Sequence, residues 1–365
     1  NAIGVMLGNG WYNCHSRDSW DFDHAQWRNT PRMLFQMKIE YKDGTSDVIV
    51  SDGSWKTATG PITFDCIRQG ESYDARLEKP GWDMPDYRES DVAAVSDGAS
   101  RSENAATAPE HPELVEGRSV ASDWRPAEVV DAPGGKLVSQ KIPPAKIIET
   151  AKPANMTEPK PGVFVFDMGR NISGWCRLNV SGPAGTIVTL RYDERLHQDG
   201  TLNQQNAAHQ FTGDFQRDRY TLKGSGAESW EPRFVYHGFQ YVQVEGFPGR
   251  PTLDSLQLRI VHASFDSAGS FECSNGLINQ LQTLTRRSYV SNFVHYPTDC
   301  PHREKNGWTG DAQLASETGL YNFDSAASYT RWIDDFDDCQ LDDGNLPGIV
   351  PTGTWGYAWG NGPAW

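Results

Sequence analysis

The six cysteines of this 365-residue chain, Cys14, Cys66, Cys176, Cys273, Cys300 and Cys339, are scattered, and no two form a Cys-x-x-Cys pair. That spacing argues against a zinc ribbon or a disulfide framework, and the expectation is free thiols, mostly buried. A His-Glu-x-x-His helix is absent too. No apolar run approaches the ~18 residues a membrane-spanning helix needs. Positive charge is in short supply: 33 Lys and Arg stand against 48 Asp and Glu, a formal net charge of -15. Such a surface repels nucleic acid and anionic membranes, so neither is expected as a partner and a neutral or cationic ligand is.

What is present is ample chain for two or three domains, each with its own core. Residues 1–88 alternate short apolar runs with turn signals. A hairpin is expected at 33–50 around Lys42-Asp43-Gly44, and further strands at 62–67 and near Tyr73, together a β-sandwich. Residues 89–123 break the rhythm with Ala, Ser, Glu and Asp and read as a solvated insertion. Strands are expected again at 127–130 and 136–139, followed by a proline-marked linker through Pro143, Pro144, Pro153, Pro159 and Pro161. Seven strand-like runs between 163 and 261 then predict a second sandwich, with His237 and His262 as hydrogen-bonded structural histidines at strand ends.

After Ser264 the period changes from two to 3.6. Ser274 reads as a cap, and Leu277, Ile278, Leu281 and Leu284 trace one helical stripe. A helix is expected at 312–320, capped by Asp311. Another begins near Ser325 with Tyr329, Trp332, Ile333 and Phe336 on one face. The expected division is therefore 1–158 and 159–263 for two β-sandwich domains, and 264–365 for a helical one.

The most unusual stretch is Thr298–Asp311, Thr-Asp-Cys-Pro-His-Arg-Glu-Lys-Asn-Gly-Trp-Thr-Gly-Asp. Three carboxylates, the bases His302 and Arg303 and an indole crowd around one proline and two glycines that let the backbone bend inward. A metal site could draw on His295, Asp299, Cys300, His302 and Glu304, but tetrahedral ligand spacing is missing. A purely structural reading makes Asp299 and Asp311 helix caps and pairs Arg303 with Glu304. A glycosidase reading also uses the aromatic loop that follows, with Trp355, Tyr357, Trp359 and Trp365. Glycoside hydrolysis needs one carboxylic acid to protonate the leaving oxygen and a second carboxylate on the opposite face. A neighbouring Trp308 and nearby carboxylates would hold the acid protonated, and flat rings suit sugar C–H faces.

At this point the residues resemble a known family. Asp299-Cys-Pro-His-Arg-Glu304-Lys-Asn-Gly-Trp308-Thr-Gly-Asp311 looks like the signature of bacterial α-L-rhamnosidases, inverting hydrolases with an (α/α)6 barrel. Gly8-Asn9-Gly10-Trp11-Tyr12, the run from Gly70 to Arg76, the run from Phe166 to Asn171, the run from Glu231 to Phe239 and the run from Gly269 to Ser274 look like its accessory sandwiches and the start of its barrel. The resemblance covers nearly everything outside 89–123.

It implies two jelly-roll-like β-sandwiches followed by the first helices of an (α/α)6 barrel, with Glu304 as general acid. It assigns Asp299, Arg303, Trp308, Asp311, Trp359 and Trp365 to the substrate, Asp299 and Asp311 at rhamnose hydroxyls. Many members carry one more acidic residue between the Arg and the catalytic Glu, so the assignment rests on the four-residue step from Glu304 to Trp308. The implied partner is a rhamnose-containing glycoside or polysaccharide. No cofactor is implied, and a calcium site in a sandwich lacks a recognisable ligand cluster. The family's general base, a glutamate far downstream, has no counterpart here, so the resemblance implies a piece of a larger enzyme that is inactive alone. The alternative from another class is a non-catalytic carbohydrate-binding protein.

Overall fold

The computed structural model describes residues 2–85, 87, 123–208 and 213–359. They pack as two compact units, one drawn from Asn1–Leu7, Arg32–Gly60 and Leu77–Gly134, the other from Gly8–Pro31, Pro61–Arg76 and Gly135–Trp365. Nearly all of the insertion expected at 89–123 lies outside the described residues.

In the first unit the expected hairpin forms. Strands β1 (Gln36–Glu40) and β2 (Ser46–Val50) pair antiparallel, with Gln36 opposite Val50. Asp43 makes the turn: its carboxylate accepts from the Thr45 amide at 3.0 Å and hydroxyl at 2.7 Å, while Gly44 adopts a φ of 86°. A shorter pair joins β3 (Lys56–Thr57) to β6 (Arg125–Pro126). The runs 127–130 and 136–139, expected as strands, are not. Pro133-Gly134-Gly135 separates them, both glycines have positive φ, and Leu137 and Val138 point to solvent.

The second unit is built on one ten-stranded sheet. It takes in β4 (Ile62–Cys66), β5 (Gly70–Asp74), β7 (Ala145–Ala151), β8 (Asn155–Lys160), β9 (Val163–Ser181), β10 (Ile187–Asp193), β11 (Arg217–Thr221), β12 (Ala227–Trp230), β13 (His237–Glu245) and β14 (Leu256–Ala263). The order is β4-β5-β11-β10-β13-β9-β14-β7, with β8 and β12 also on β9.

β9 turns this sheet into a sandwich. The pattern predicts two strands, at 163–167 and 176–180; the chain runs through as one of 19 residues. Its first half pairs with β8 and β13, its second with β12 and β14, and both halves feed one core through Phe164, Phe166, Leu178 and Val180. Gly174 sits at the change-over with a φ of 148°, where a Cβ would lie 1.9 Å from the Arg259 carbonyl oxygen.

The proline-marked stretch expected as linker supplies β7 and β8. Each pairs with a single neighbour, so each is an edge strand, and Pro159 sits where the β8 register shifts between Thr157 and Lys160. A proline at such a place costs no ladder hydrogen bond. His237 bonds Asp218 at 3.0 Å and His262 bonds the Ala263 carbonyl at 2.7 Å, as structural histidines should. All six cysteines are free, with Cys14, Cys66 and Cys176 buried.

After a single turn, α1 (Gln205–Ala208), three longer helices follow among the described residues: α2 (Gly276–Ser291), α3 (Thr309–Asn322) and α4 (Ala326–Cys339). The cap of α2 is Asn275, whose side chain accepts from the Leu277 amide, one residue beyond the expected Ser274. The expected stripe of Leu277, Ile278, Leu281 and Leu284 is exposed, and the packed side of α2 is carried by Tyr289. Tyr289 stacks on Phe323 at 5.4 Å and passes close to Gly319 on α3, where a Cβ would lie 2.2 Å from its hydroxyl. On α4, Trp332 is buried with Tyr329 and Phe336 against it, while Ile333 faces outward. The described chain is thus mainly β-sandwich, followed by helices.

Candidate active site

The stretch singled out by its chemistry lies between α2 and α3. Its base is closed twice: Thr298 donates from its amide to the Asn292 carbonyl at 2.8 Å, and Asp299 and Asn306 bond each other. The Asp299 amide donates to the Asn306 carbonyl at 3.0 Å, and the Asn306 amide donates to Asp299 Oδ1 at 3.0 Å. Gly307 then passes so near residue 350 that a Cβ would lie 2.0 Å from the Val350 carbonyl oxygen. The Val350 amide donates to the Gly307 carbonyl at 2.9 Å and the Thr309 amide to the Gly348 carbonyl at 3.0 Å. Only glycine fits that approach. Helix α3 starts here, three residues earlier than expected, with Trp308 at its N-cap. Asp311 is therefore not the cap. It lies in the first turn, where a carboxylate suits the helix dipole, and is exposed.

Within this frame Glu304 is 7% exposed and both its oxygens accept. Arg303 Nη2 donates to Oε1 at 3.0 Å, and Trp308 Nε1 donates to Oε2 at 2.8 Å, so the four-residue step becomes a direct bond. Asp299 shares the loop. Cys300 Sγ donates to its Oδ2 at 3.0 Å and accepts from the Glu304 amide at 3.3 Å. Burial first, and then the negative charge of Glu304, push the Asp299 carboxyl up to about 7.

The structure brings Asp299, Arg303, Glu304 and Trp308 together. Among the described residues, no hydrogen bond or ion pair joins Asp311 to them. Trp359 contributes backbone to the 3-10 turn Tyr357–Trp359; its side chain, and all of Trp365, lie outside the described residues. Among the described residues, Trp355 meets Trp308, edge to face at 5.6 Å and 84°.

Beneath the loop lies an element that sequence reasoning missed. Arg68, on the turn between β4 and β5, is wholly buried. Its Nε donates to the Glu304 carbonyl at 3.0 Å, its Nη2 to Asn306 Oδ1 at 2.6 Å, and its Nη1 to the enclosed carboxylate of Asp18. Lys305 is wholly buried as well; its Nζ donates to the Ile67 carbonyl at 2.9 Å and sits 4.8 Å from the Tyr236 ring centre. Burial, then the Arg68 charge, lower its amine to about 7. A charged residue on a strand turn carries no sequence signal for burial, because its partners lie 236 and 238 positions away.

Comparison with known proteins bears on the whole chain. The α-L-rhamnosidase N-terminal domain model matches residues 1–149, the bacterial α-L-rhamnosidase concanavalin-like domain model residues 157–262, and the bacterial α-L-rhamnosidase 6 hairpin glycosidase domain model residues 266–365. The chain belongs to the bacterial α-L-rhamnosidase family. The loop described above falls in the segment matched by the glycosidase model. An α-L-rhamnosidase of Streptomyces avermitilis is 36% identical over 355 residues, 96% of this chain and 30% of the relative. Its crystal structure, a complex with L-rhamnose, superposes with a TM-score of 0.80 over 95% of this chain. The native α-L-rhamnosidase of Aspergillus terreus, 31% identical, gives 0.79 over 96% of this chain and 37% of its own. This rhamnosidase-family chain thus spans about a third of the length of the relatives it matches.

Proposed function

We propose that the protein containing this chain hydrolyses terminal, non-reducing α-L-rhamnosyl groups with inversion, with Glu304 as the general acid. The observation that carries the reading is the carboxyl of Glu304, nearly closed off from water and oriented by Arg303 and Trp308 in a loop of the family's glycosidase segment. The S. avermitilis relative whose structure holds L-rhamnose supports the choice of sugar.

In the proposed step Glu304 gives its proton to the glycosidic oxygen as the bond to the anomeric carbon breaks. A water attacks from the opposite face, activated by a second carboxylate roughly 6.5–9.5 Å from the acid. That base is proposed to be a glutamate beyond residue 365, so residues 1–365 alone are expected to release no rhamnose. Asp299, Arg303 and Asp311 would take sugar hydroxyls through charge-assisted hydrogen bonds, and Trp308, Trp359 and Trp365 would line the ring.

The test is rhamnose release by the protein expressed from its complete reading frame, alongside its Glu304→Gln variant. Two substrates are compared, a nitrophenyl α-L-rhamnoside and an alkyl α-L-rhamnoside, with the first-formed anomer read by NMR. The expected results are β-L-rhamnose first, and a loss of about 10²–10⁴-fold on the alkyl substrate in the variant with a much smaller loss on the nitrophenyl one. Equal losses on both substrates overturn the role of Glu304, and α-L-rhamnose as first product overturns inversion.

A further inference from the structure

We propose that Arg68, from the β-sandwich turn between β4 and β5, is a positioning residue that sets the place of Glu304; this rests on the reading of Glu304 as the acid. The argument begins with how the guanidinium is spent. It is enclosed, its central carbon lies 4.8, 5.0 and 4.9 Å from the rings of Trp11, Trp20 and Phe22, and its edges go to two segments, Glu304 and Asn306 of the loop and Asp18 early in the chain. A buried ion pair is weak evidence for stability, since well-packed apolar residues commonly serve as well. A planar fork of fixed donors does what apolar packing cannot: it fixes distances and angles.

Those donors act where the proposed chemistry is. One holds the carbonyl of Glu304 itself. Another holds the side chain of Asn306, whose backbone is bonded in both directions to Asp299. Arg68 thereby holds the Glu304 end of the loop directly and the Asp299 end through Asn306. The grip is also reciprocal. Lys305, the residue after Glu304, sends its amine back to the carbonyl of Ile67, the residue before Arg68. Lys305 takes a φ of 55°, left-handed for a residue with a side chain, so that Glu304 and Lys305 serve opposite partners. The turn itself cannot drift: Gln216 donates from its amide to the Arg68 carbonyl at 3.2 Å and Arg217 to the Gln69 carbonyl at 2.7 Å, which tie it to the start of β11. The sandwich in this way lends its rigidity to the loop.

The test uses the protein from its complete reading frame, with Arg68→Lys, Arg68→Met, Asn306→Ala and Glu304→Gln, and measures kcat and KM on the nitrophenyl and alkyl rhamnosides. A displaced acid is felt where protonation of the leaving group limits the rate, and a misplacement near 1 Å costs about 10²-fold. Arg68→Met is therefore expected to lower kcat on the alkyl substrate about 100-fold, at least ten times more than on the nitrophenyl one, with KM within about threefold and partial recovery in Arg68→Lys. Equal falls on both substrates, a change in KM alone, or no change overturn the proposal. Should Arg68→Met fail to fold, Asn306→Ala removes the loop-side acceptor and leaves the guanidinium in place; it is expected to show the same dependence on leaving group, and its absence is equally decisive. If Glu304→Gln shows the dependence and the Arg68 and Asn306 variants do not, positioning by Arg68 fails and the acid stands. If Glu304→Gln shows none, both fall.

Discussion

Two of the cores in the larger unit are built on different physics. Between the layers of the ten-stranded sheet, Phe166, Leu178, Leu190, Phe239, Val242 and Leu258 form an apolar interior. Beneath the loop, Trp20, Phe22, Cys66, Ile67 and Tyr236 form an aromatic one, and Arg68, Lys305 and Asp18 are sunk beside it. The first core gains from area removed from water and has no preferred direction. The second adds bonds with donors, acceptors and angles, and every one of those named here ends on the loop or on what holds it. Stability and orientation are supplied separately, and they should fail separately.

The largest effect that would expose this separation is on the apolar side. Phe239 is wholly buried, so Phe239→Ala should lower the unfolding free energy by about 3–5 kcal/mol in denaturant titrations. The ratio of rates on the alkyl and nitrophenyl substrates should stay as in the parent for molecules that remain folded; a changed ratio would mean the two cores are not independent. Gly307→Ala is its counterpart. The added Cβ must push against the Val350 carbonyl oxygen, where the loop and 347–350 are joined by a short bridge. A shift of the loop should cost about 10²-fold in kcat against about 1–3 kcal/mol of stability. Parent-like turnover on the alkyl substrate would contradict it.

A pH titration of the melting temperature sharpens the comparison further. Glu71 is wholly buried; burial, and beyond it the charge of Asp218, push its carboxyl from 4.5 to about 8. The folded state then holds a proton that the unfolded chain has released. This stabilisation is complete below pH 4.5 and is lost as pH rises through about 8. Asp299 acts in the same direction up to about 7. Lys305 runs the other way: its amine falls from 10.5 to about 7, so the stability linked to it is present above 10.5 and lost as pH falls through about 7. The melting temperature should fall between pH 4.5 and about 7, level off to about 8 where Glu71 and Lys305 oppose each other, and rise from there towards 10.5. Glu71→Gln should flatten the fall, and Lys305→Met should remove the recovery. A parent-like profile in both variants would mean that neither group titrates as stated.

The sequence displayed the loop and hid its support, for a physical reason. Asp299, Glu304 and Trp308 stand within ten positions of one another, so local chemistry and spacing suffice to group them, and the hairpin at Asp43-Gly44 is legible for the same reason. Arg68 and Asp18 carry no such local signal, because whether a charge is buried depends on what the fold brings to it from elsewhere in the chain. The edge strands β7 and β8 were masked by prolines that only an edge tolerates. The apolar stripe of α2 showed the reverse failure: its period correctly announces a helix, while the side on which it packs is a tertiary property, and Leu277 is 73% exposed.

The smallest predicted effect falls on the single bond that joins the loop's indole to its carboxylate. Trp308→Phe removes the donor to Glu304 Oε2 and leaves a ring facing Trp355, so the apolar contact is largely kept while the directional one is lost. Arg303 still holds Oε1, and the backbone of Glu304 is still held through its carbonyl. The carboxyl should therefore stay in place on average but rotate more freely about its last torsion. That predicts a fall in kcat of about 10-fold on the alkyl substrate, equivalent to about 1.4 kcal/mol in the barrier, with little change on the nitrophenyl one and a melting temperature close to the parent's. A loss as large as that of Arg68→Met would mean that orientation comes from the indole and that the guanidinium below is secondary. A tenfold loss beside a hundredfold one would rank them the other way, with the backbone of Glu304 set first and its side chain trimmed afterwards.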